Sequence, residues 1–294
     1  MSDDDKTLDI FELLPNMVKL QNSSIVVKYG GNAMVNEEAQ RNVVKDLVLL
    51  HLMGIKPLVV HGGGPAISEH MNRVGLETEF VEGQRKTDED TLEIVEMVLC
   101  GKVNNQIVKM INSTGSKAVG LSGKDGRLIT ARKHLRSVMK EGEISTVDLG
   151  HVGMVESIDD GILRTLLDSN YIPVIAPIGI GLDGMDYNIN ADVLAGEIAS
   201  AVNADKLIYL TDVDGILKDP EDPSSLMEYM NVMEAKGYIN NIITGGMIPK
   251  VESSIRALEN GVGSAYILNG MKKHSILYEL LSERIEGTMI QPDL

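Results

Sequence analysis

The sequence predicts an α/β protein: a three-layer αβα sandwich built around an open, mostly parallel central sheet. Three observations carry that expectation. Six short runs are continuously apolar rather than alternating, which suits strands covered on both faces. Longer stretches of helical spacing separate those runs. The strand–helix order then repeats, and repetition of this kind favours parallel strands joined by crossover helices.

Ahead of the first run, Leu8, Phe11, Leu14 and Met17–Val18 fit a helical spacing that Pro15 strains. Such a segment must bury its apolar face on its own subunit or on a neighbour. The six apolar runs are 24–28, 57–60, 117–121, 172–176, 206–210 and 264–268. After the first, Asn36 can cap a helix with Glu37 and Glu38 in its first turn, and Gly54 can end it. Pro65 suits a first helical position, with Ile67, Met71 and Val74 on one face. Thr87 opens a longer helical stretch through Leu92, Val95, Leu99, Val103, Ile107 and Ile111. Residues 125–155 break the rhythm and read as a hairpin-rich insertion. Ser157 and Asn190 each precede a further helix, and residues 218–230 read as a polar loop. No internal repeat is present, and the only low-complexity tract is the short acidic run at 3–5.

Composition narrows the function classes. The net charge of −16 disfavours nucleic acid or an anionic membrane as the main partner. With 3% aromatic residues and no Trp, base-stacking platforms are not expected. Cys100 is the single cysteine, which rules out an intramolecular disulfide and points to a reducing compartment. With no secretory signal and no apolar run of about 18 residues, a cytoplasmic location is expected.

The chemistry is carried by glycine turns and by charges where charges are costly. Gly30-Gly31, His61-Gly62-Gly63-Gly64 and Gly245-Gly246 are expected at carboxyl ends of strands, where open α/β sheets bind ligands. Glycine lets backbone N–H groups approach an anion closely. Lys28 lies inside an apolar strand, which is costly unless it meets an anion. Lys250 follows Pro249 at a helix start, where a cation opposes the helix dipole. Asp192 reads either as an ordinary first-turn acid or as a carboxylate that orients a lysine. Arg85 precedes a helix in a loop; arginine can clamp a carboxylate, although most loop arginines are solvated. His61 has no second histidine at ligand spacing and reads as a satisfied structural residue. There is no Walker loop: Gly120-Leu-Ser-Gly123-Lys124-Asp125 is too short for one. The G-x-G-x-x-G match at 179–184 does not open a helix directly, so a dinucleotide-binding reading is disfavoured.

Taken in order, the motifs resemble the amino-acid kinase family from Ile25 to Ile290. They are Val27-Lys28-Tyr29-Gly30-Gly31-Asn32, His61-Gly62-Gly63-Gly64-Pro65, Gly83-Gln84-Arg85-Lys86-Thr87, Leu149-Gly150-His151-Val152-Gly153, Asn188-Ile189-Asn190-Ala191-Asp192, Leu210-Thr211-Asp212-Val213-Asp214-Gly215 and Gly245-Gly246-Met247-Ile248-Pro249-Lys250. The Arg85 and Asn188–Asp192 segments are similar to the branch that phosphorylates the side-chain carboxylate of N-acetyl-L-glutamate.

The resemblance implies a carbamate kinase-like fold: an N-terminal helical extension at 1–24, a substrate lobe with dimerisation surface at 25–180 and an ATP lobe at 181–294. It implies that Lys28 and Lys250 stabilise the transferring phosphoryl group and that Asp192 orients them. It gives the acceptor carboxylate to Gly63 and Gly64, the α-carboxylate to Arg85 and the acetamido end to Asn188. The nucleotide, with Mg²⁺ held mainly by its phosphates, falls to Gly30, Gly31, Asp212, Val213, Asp214, Gly215, Ile216, Leu217, Ile242, Ile243 and Thr244. The N-terminal segment is similar to that of an arginine-inhibited, hexameric branch, a trimer of dimers. Lys206, His274 and Glu279 match its effector positions, while Asn269-Gly270-Met271 departs from its usual Asp-Gly-Arg. The rival readings are a kinase for a related carboxylate, such as N-acetylaminoadipate or a carrier-linked substrate, and a non-catalytic sensor of the same fold.

Overall fold

The computed structural model describes residues 10–81, 83–140 and 143–293. Its centre is an eight-stranded sheet. Strand β1 (Ser24–Tyr29) pairs in parallel with β2 (Lys56–His61) on one side and with β11 (Lys206–Thr211) on the other. Strands β8 (Ile172–Ala176) and β5 (Ala118–Ser122) extend the first side, and β13 (Ser264–Asn269) the second, all in parallel. Each expected apolar run is one of these strands. β14 (Gly287–Gln291) returns antiparallel on β13 and carries β12 (Tyr229–Asn231) at the edge.

Side chains of a strand alternate between faces, and here each face meets a separate core. Ile25, Val27 and Tyr29 join one core, Val26 the other; Val59 joins the first, Leu58 and Val60 the second. Two buried faces explain why the strands read as unbroken apolar runs. The first core is closed by α2 (Glu37–Leu52), α3 (Gly64–Val74), α5 (Asn104–Thr114) and α10 (Ser275–Leu281). The second is closed by α6 (Gly161–Asp168), α7 (Ala191–Ala201), α8 (Val232–Tyr238) and α9 (Ile248–Glu259).

The cap of α2 follows expectation: Asn36 accepts from the Ala39 N–H at 2.9 Å, and Gly54 has φ +84°. Several local expectations need correction. Val74 does not share the buried face of Ile67 and Met71; it is 59% exposed. Thr87 does not open a helix, because its hydroxyl donates to the Arg85 carbonyl, and Asp88 caps α4 (Glu89–Glu96) instead. The long helical stretch is also interrupted by a π-helical segment, Met97–Val103, before α5 begins. Ser157 lies within a strand, and α6 begins only at Gly161. Gly245-Gly246 follows no strand of the central sheet but forms a 3₁₀ turn leading into α9.

The insertion is a long hairpin, β6 (Ile129–Lys140) and β7 (Glu143–Ile158), closed with β9 (Ile178–Gly181) and β10 (Asp186–Ile189) into a small barrel. The G-x-G-x-x-G match is the β9–β10 turn, where the Gly181 N–H donates to the Met185 carbonyl at 2.8 Å. Helix α1 (Ile10–Leu20) turns Leu13 and Met17 toward the core and is tied to α10 by a hydrogen bond from Asn16 to the Leu281 carbonyl. Leu14 and Val18 face outward, 43% and 71% exposed. Leu8, the side chain of Phe11 and the acidic run at 3–5 lie outside the described residues. No helix among the described residues is long and apolar enough to cross a membrane.

Candidate active site

Strand β1 is where the sheet changes direction, with β2 continuing on one side and β11 on the other. Ligands of open α/β sheets bind beyond the carboxyl ends of the strands at such a switch point. Lys28 stands there. By alternation it follows Val26 onto the second face, toward α7. The cap of α7 is Asn190, whose side-chain oxygen accepts from the N–H groups of Asp192 and Val193. Asp192 then sits between two lysines: Oδ1 is 3.0 Å from the Lys28 ammonium and Oδ2 is 3.0 Å from that of Lys250. The three side chains are only 10–13% exposed.

Burial pushes the Asp192 carboxyl upward, but the two ammonium groups overcome that and hold it below the usual carboxylate range. Its backbone is fixed as well, because the Tyr209 and Ser253 hydroxyls both donate to the Asp192 carbonyl. Lys250 makes a directed hydrogen bond to Asp192, whereas Oδ1 has no such bond from Lys28. Lys28 is thus held to the shared carboxylate by its charge at 3.0 Å. Gly30 explains how its ammonium fits: a Cβ there would lie 2.6 Å from the Lys28 Nζ. The cluster carries one surplus positive charge.

The glycine turn after β2 forms the next wall. Its middle glycine, Gly63, lies directly against the π segment, where a Cβ would come within 2.4 Å of the Leu99 methyl. His61 supports the turn from beneath. It is fully buried, its Nδ1 lies 2.8 Å from the Gly62 carbonyl and its Nε2 3.1 Å from the Asn104 amide. Burial lowers its pKa to about 4, so it is a neutral structural group, as its spacing suggested. Helix α3 then starts at the turn with Pro65 as its second residue.

Arg85 comes from a two-strand ribbon, β3 (Phe80–Val81) and β4 (Gln84–Arg85). It is 7% exposed rather than solvated. Its guanidinium donates to the Gly64 carbonyl, Ser68 Oγ and Met71 Sδ, and stacks 4.7 Å from the centre of the Phe80 ring. Thr87 ties this ribbon to β7 through backbone bonds to Leu149 and His151. The approach needs Gly150, where a Cβ would be 2.2 Å from the Thr87 carbonyl oxygen. The Asn188 amide points back to the Thr87 hydroxyl at 3.4 Å.

These parts enclose a cavity of about 360 Å³, lined by Lys28, Gly31, Gly62–Gly64, Arg85, Leu99, Val152, Gly153, Asn188 and Asp192 among others. Its volume falls within the range of small-molecule sites. The candidate residues Lys28, Gly63, Gly64, Arg85, Asn188 and Asp192 therefore meet in one place. Gln84, not singled out from sequence, lines the same cavity and has a buried Oε1 without a hydrogen-bond partner. A side-chain amide in a strand gives no sequence signal; only an orphaned acceptor marks it.

The remaining candidates are spread along the sheet edge. Asp212 accepts from Asn32, and Asp214 from Asn269 with Lys272 at 3.2 Å. Gly215 has φ +141° and presses on Thr288, whose Oγ1 accepts from the Ile216 N–H. Ile216 and Ile243 are core residues, so they offer a ligand only backbone. Val213 and Thr244 are exposed; Leu217 and Ile242 are half-buried. Lys206, His274 and Glu279 are each engaged with other groups. Lys206 bonds to the Tyr266 hydroxyl, His274 pairs with Asp46 at 2.5 Å and Glu279 accepts from the Glu286 N–H. Among the described residues no cluster of His, Cys, Asp and Glu is placed to hold a metal ion.

Comparison with known proteins identifies relatives of the whole chain and of its fold. An acetylglutamate kinase of Moorella thermoacetica is 50% identical over 289 residues, 98% of each chain. The structure of an N-acetylglutamate synthase from Neisseria gonorrhoeae, complexed with coenzyme A and N-acetyl-glutamate, superposes with a TM-score of 0.83 at 25% identity. That match covers 97% of this chain and 63% of the synthase. Carbamate kinase from Giardia lamblia, bound to AMP-PNP, shares the fold at a TM-score of 0.65 and 17% identity, over 92% of this chain and 99% of the kinase. The family model described as the amino acid kinase family matches residues 23–269, a span that runs from β1 through β13 and includes both lysines and Asp192, and the chain belongs to that family.

Proposed function

We propose that this protein transfers the γ-phosphoryl group of Mg-ATP to the side-chain carboxylate of N-acetyl-L-glutamate, giving N-acetyl-L-glutamyl 5-phosphate, a step of arginine biosynthesis. The observation that carries the reading is the pair of lysines sharing Asp192 at the mouth of a cavity walled by a glycine turn and Arg85. A side-chain carboxylate has a pKa of about 4.3, so the nucleophile is already ionised at neutral pH and needs no general base. The difficulty is to bring two anions together and to stabilise charge on a loose, in-line transition state. Lys28 and Lys250 supply that charge, and Asp192 keeps them in place without neutralising both. Backbone N–H groups of Gly63 and Gly64 hold the acceptor carboxylate, and the uncommitted part of the Arg85 fork takes the α-carboxylate. Asn188 meets the acetamido end, whose N–H is a donor of the kind that the Gln84 oxygen lacks. The magnesium arrives with the nucleotide as part of the substrate. Gly30, Gly31, the 212–217 loop and residues 242–244 form the nucleotide side; the 25–180 lobe thus serves mainly the amino acid and the 181–294 lobe mainly the ATP, with Gly30–Gly31 and Asn188 each reaching across to the other ligand.

The test is ADP release with Mg-ATP and a panel of N-acetyl-L-glutamate, L-glutamate, L-aspartate, N-acetylaminoadipate and UMP. Turnover confined to N-acetyl-L-glutamate supports the reading. Turnover with another acceptor moves the substrate, and none with any sinks the kinase.

We also infer a cytoplasmic hexamer, a trimer of dimers joined through α1, that is inhibited by L-arginine. The outward Leu14 and Val18 support the first part. Lys206, whose charge opposes the rise of the Glu279 carboxyl, supports the second. A dimer by light scattering removes the hexamer; activity indifferent to millimolar arginine removes the inhibition.

A further inference from the structure

Lys124 lies in the glycine-lysine stretch that is too short for a phosphate loop, outside the cavity and its charge cluster. It projects from the turn after β5. That turn is held firmly: Asp125 accepts from both the N–H and the hydroxyl of Ser122, and the Gly123 N–H donates to the Ile178 carbonyl at 2.8 Å. From this base the Lys124 ammonium reaches Glu96 Oε1 at 2.9 Å and Asp186 Oδ2 at 2.8 Å.

The two acids belong to different elements, each of which continues into residues that line the cavity. Glu96 is the last residue of α4, and the π segment that follows carries Leu99 against Gly63. Asp186 opens β10, the strand that presents Asn188 and leads to the cap of Asp192. We propose that Lys124 is a positioning residue for the amino-acid substrate, clipping the π segment to β10 and so setting the width of the cavity. Neither Lys124 nor its two partners line that cavity, so the effect passes through Leu99 and Asn188. π segments are frequent at functional sites, where they offset side chains from the regular helical phase; here the offset is fixed by one cation.

Without that cation two carboxylates face each other. Burial already raises the Glu96 carboxyl, and the charge of Asp186 adds to the rise against the opposing pull of Lys124. The other groups around them are Asp125 on the turn, Cys100 on the π segment, whose thiol is pushed up to about 11, and His151 of β7, bonded to the Asp186 carbonyl. None of these supplies a fixed positive charge in place of the one lost. A Lys124→Met protein therefore strains apart at the clip when both acids are ionised and relaxes when Glu96 takes a proton.

The proposal rests on N-acetyl-L-glutamate being the substrate, and the experiment separates the two. Wild type, Lys124→Met, Lys124→Arg and the double variant Lys124→Met/Glu96→Gln are assayed as full chains, and their amide hydrogen exchange is followed without ligand. Lys124→Met is expected to raise KM for N-acetyl-L-glutamate about ten-fold at alkaline pH while leaving kcat and the KM for ATP within about two-fold. The rise shrinks at mildly acid pH, and both Lys124→Arg and the double variant recover most of it. Exchange at 97–103 and 186–189 quickens in Lys124→Met and slows again in the double variant. An unchanged KM, a pH-independent rise, or equal losses in kcat and both KM values overturn the clip. If wild type does not turn over N-acetyl-L-glutamate, the substrate assignment falls and the exchange data decide the clip alone.

Discussion

Two charge clusters in this molecule have mirror-image stoichiometry. At the mouth of the cavity two ammoniums share one carboxylate; at its back one ammonium is shared by two carboxylates. The first is nearly closed to water, with side chains 10–13% exposed, and carries a surplus positive charge. The second is 26–34% exposed and carries a surplus negative charge that water can screen. A buried charge left uncompensated is expensive. The front cluster is therefore built for an arriving anion, and the back cluster is finished as it stands. On the proposed reading the same residue types make a reaction centre in one place and a fastener in the other, and burial with net charge tells the two clusters apart.

The largest effects are expected at the front cluster. Lys28→Ala or Lys250→Ala should lower kcat by roughly 10²–10³, the cost of one preorganised donor aimed at transition-state charge. A raised KM with unchanged kcat would take that lysine out of the transition state. Asp192→Asn should come next, with kcat down by about 10–10² and stability lowered by ~3 kcal/mol, because two ammoniums lose their shared counter-charge. Denaturant titration beside the kinetics reads both. A stable, fully active variant would mean that the lysines hold their places unaided.

Smaller effects sharpen the contrast. The KM rise of Lys124→Met should shrink with added salt, since its charges lie partly in water, while the kcat loss of Lys28→Ala should not. Equal salt dependence would mean that the two clusters are screened alike by water. The smallest effect concerns His61, beneath the glycine turn. Its folded pKa of about 4 lies below the ordinary 6.5, so the unfolded chain binds the proton first. Its contribution to stability is full above the unfolded value and is lost as pH falls toward the folded one, with a slope of up to about 1.4 kcal/mol per pH unit. His51, also lowered by burial, acts with the same sign. Melts of His61→Gln should show a shallower acid limb than wild type.

The residues most legible in the sequence broke a local rule. Lys28 is a charge in an apolar strand, Lys250 a cation at a helix start, and the triple glycine costs backbone entropy. Asp192 was ambiguous because acids at helix starts are ordinary; only its meeting with lysines remote in sequence distinguishes it. Lys124 broke no rule and gave no signal. Thr87 misled because threonine can cap a helix or bind a backbone carbonyl with equal ease, and the tertiary contact decided. The π segment left a trace that can be read afterwards. Leu99, Val103, Ile107 and Ile111 recur every fourth residue, which in a regular α-helix drifts by ~40° per step. A wider turn absorbs part of that drift and keeps them buried together. Strands β12 and β14 were not marked as such, being short and at or beside the edge, where packing asks less of the sequence.

Strand β14 also bears on the order in which the molecule can be completed. Residues 229–231 find their sheet partner only in 289–291, and the Ile216 N–H in the proposed nucleotide loop is satisfied only by Thr288. A ribosome delivers those partners dozens of residues after the loop itself. Until then the loop lacks its anchor and the sheet its last two strands, so a growing chain can bring Lys28, Arg85 and Asp192 together well before the 212–217 loop is anchored. Anchoring of that loop therefore waits for residue 288, some seventy positions downstream.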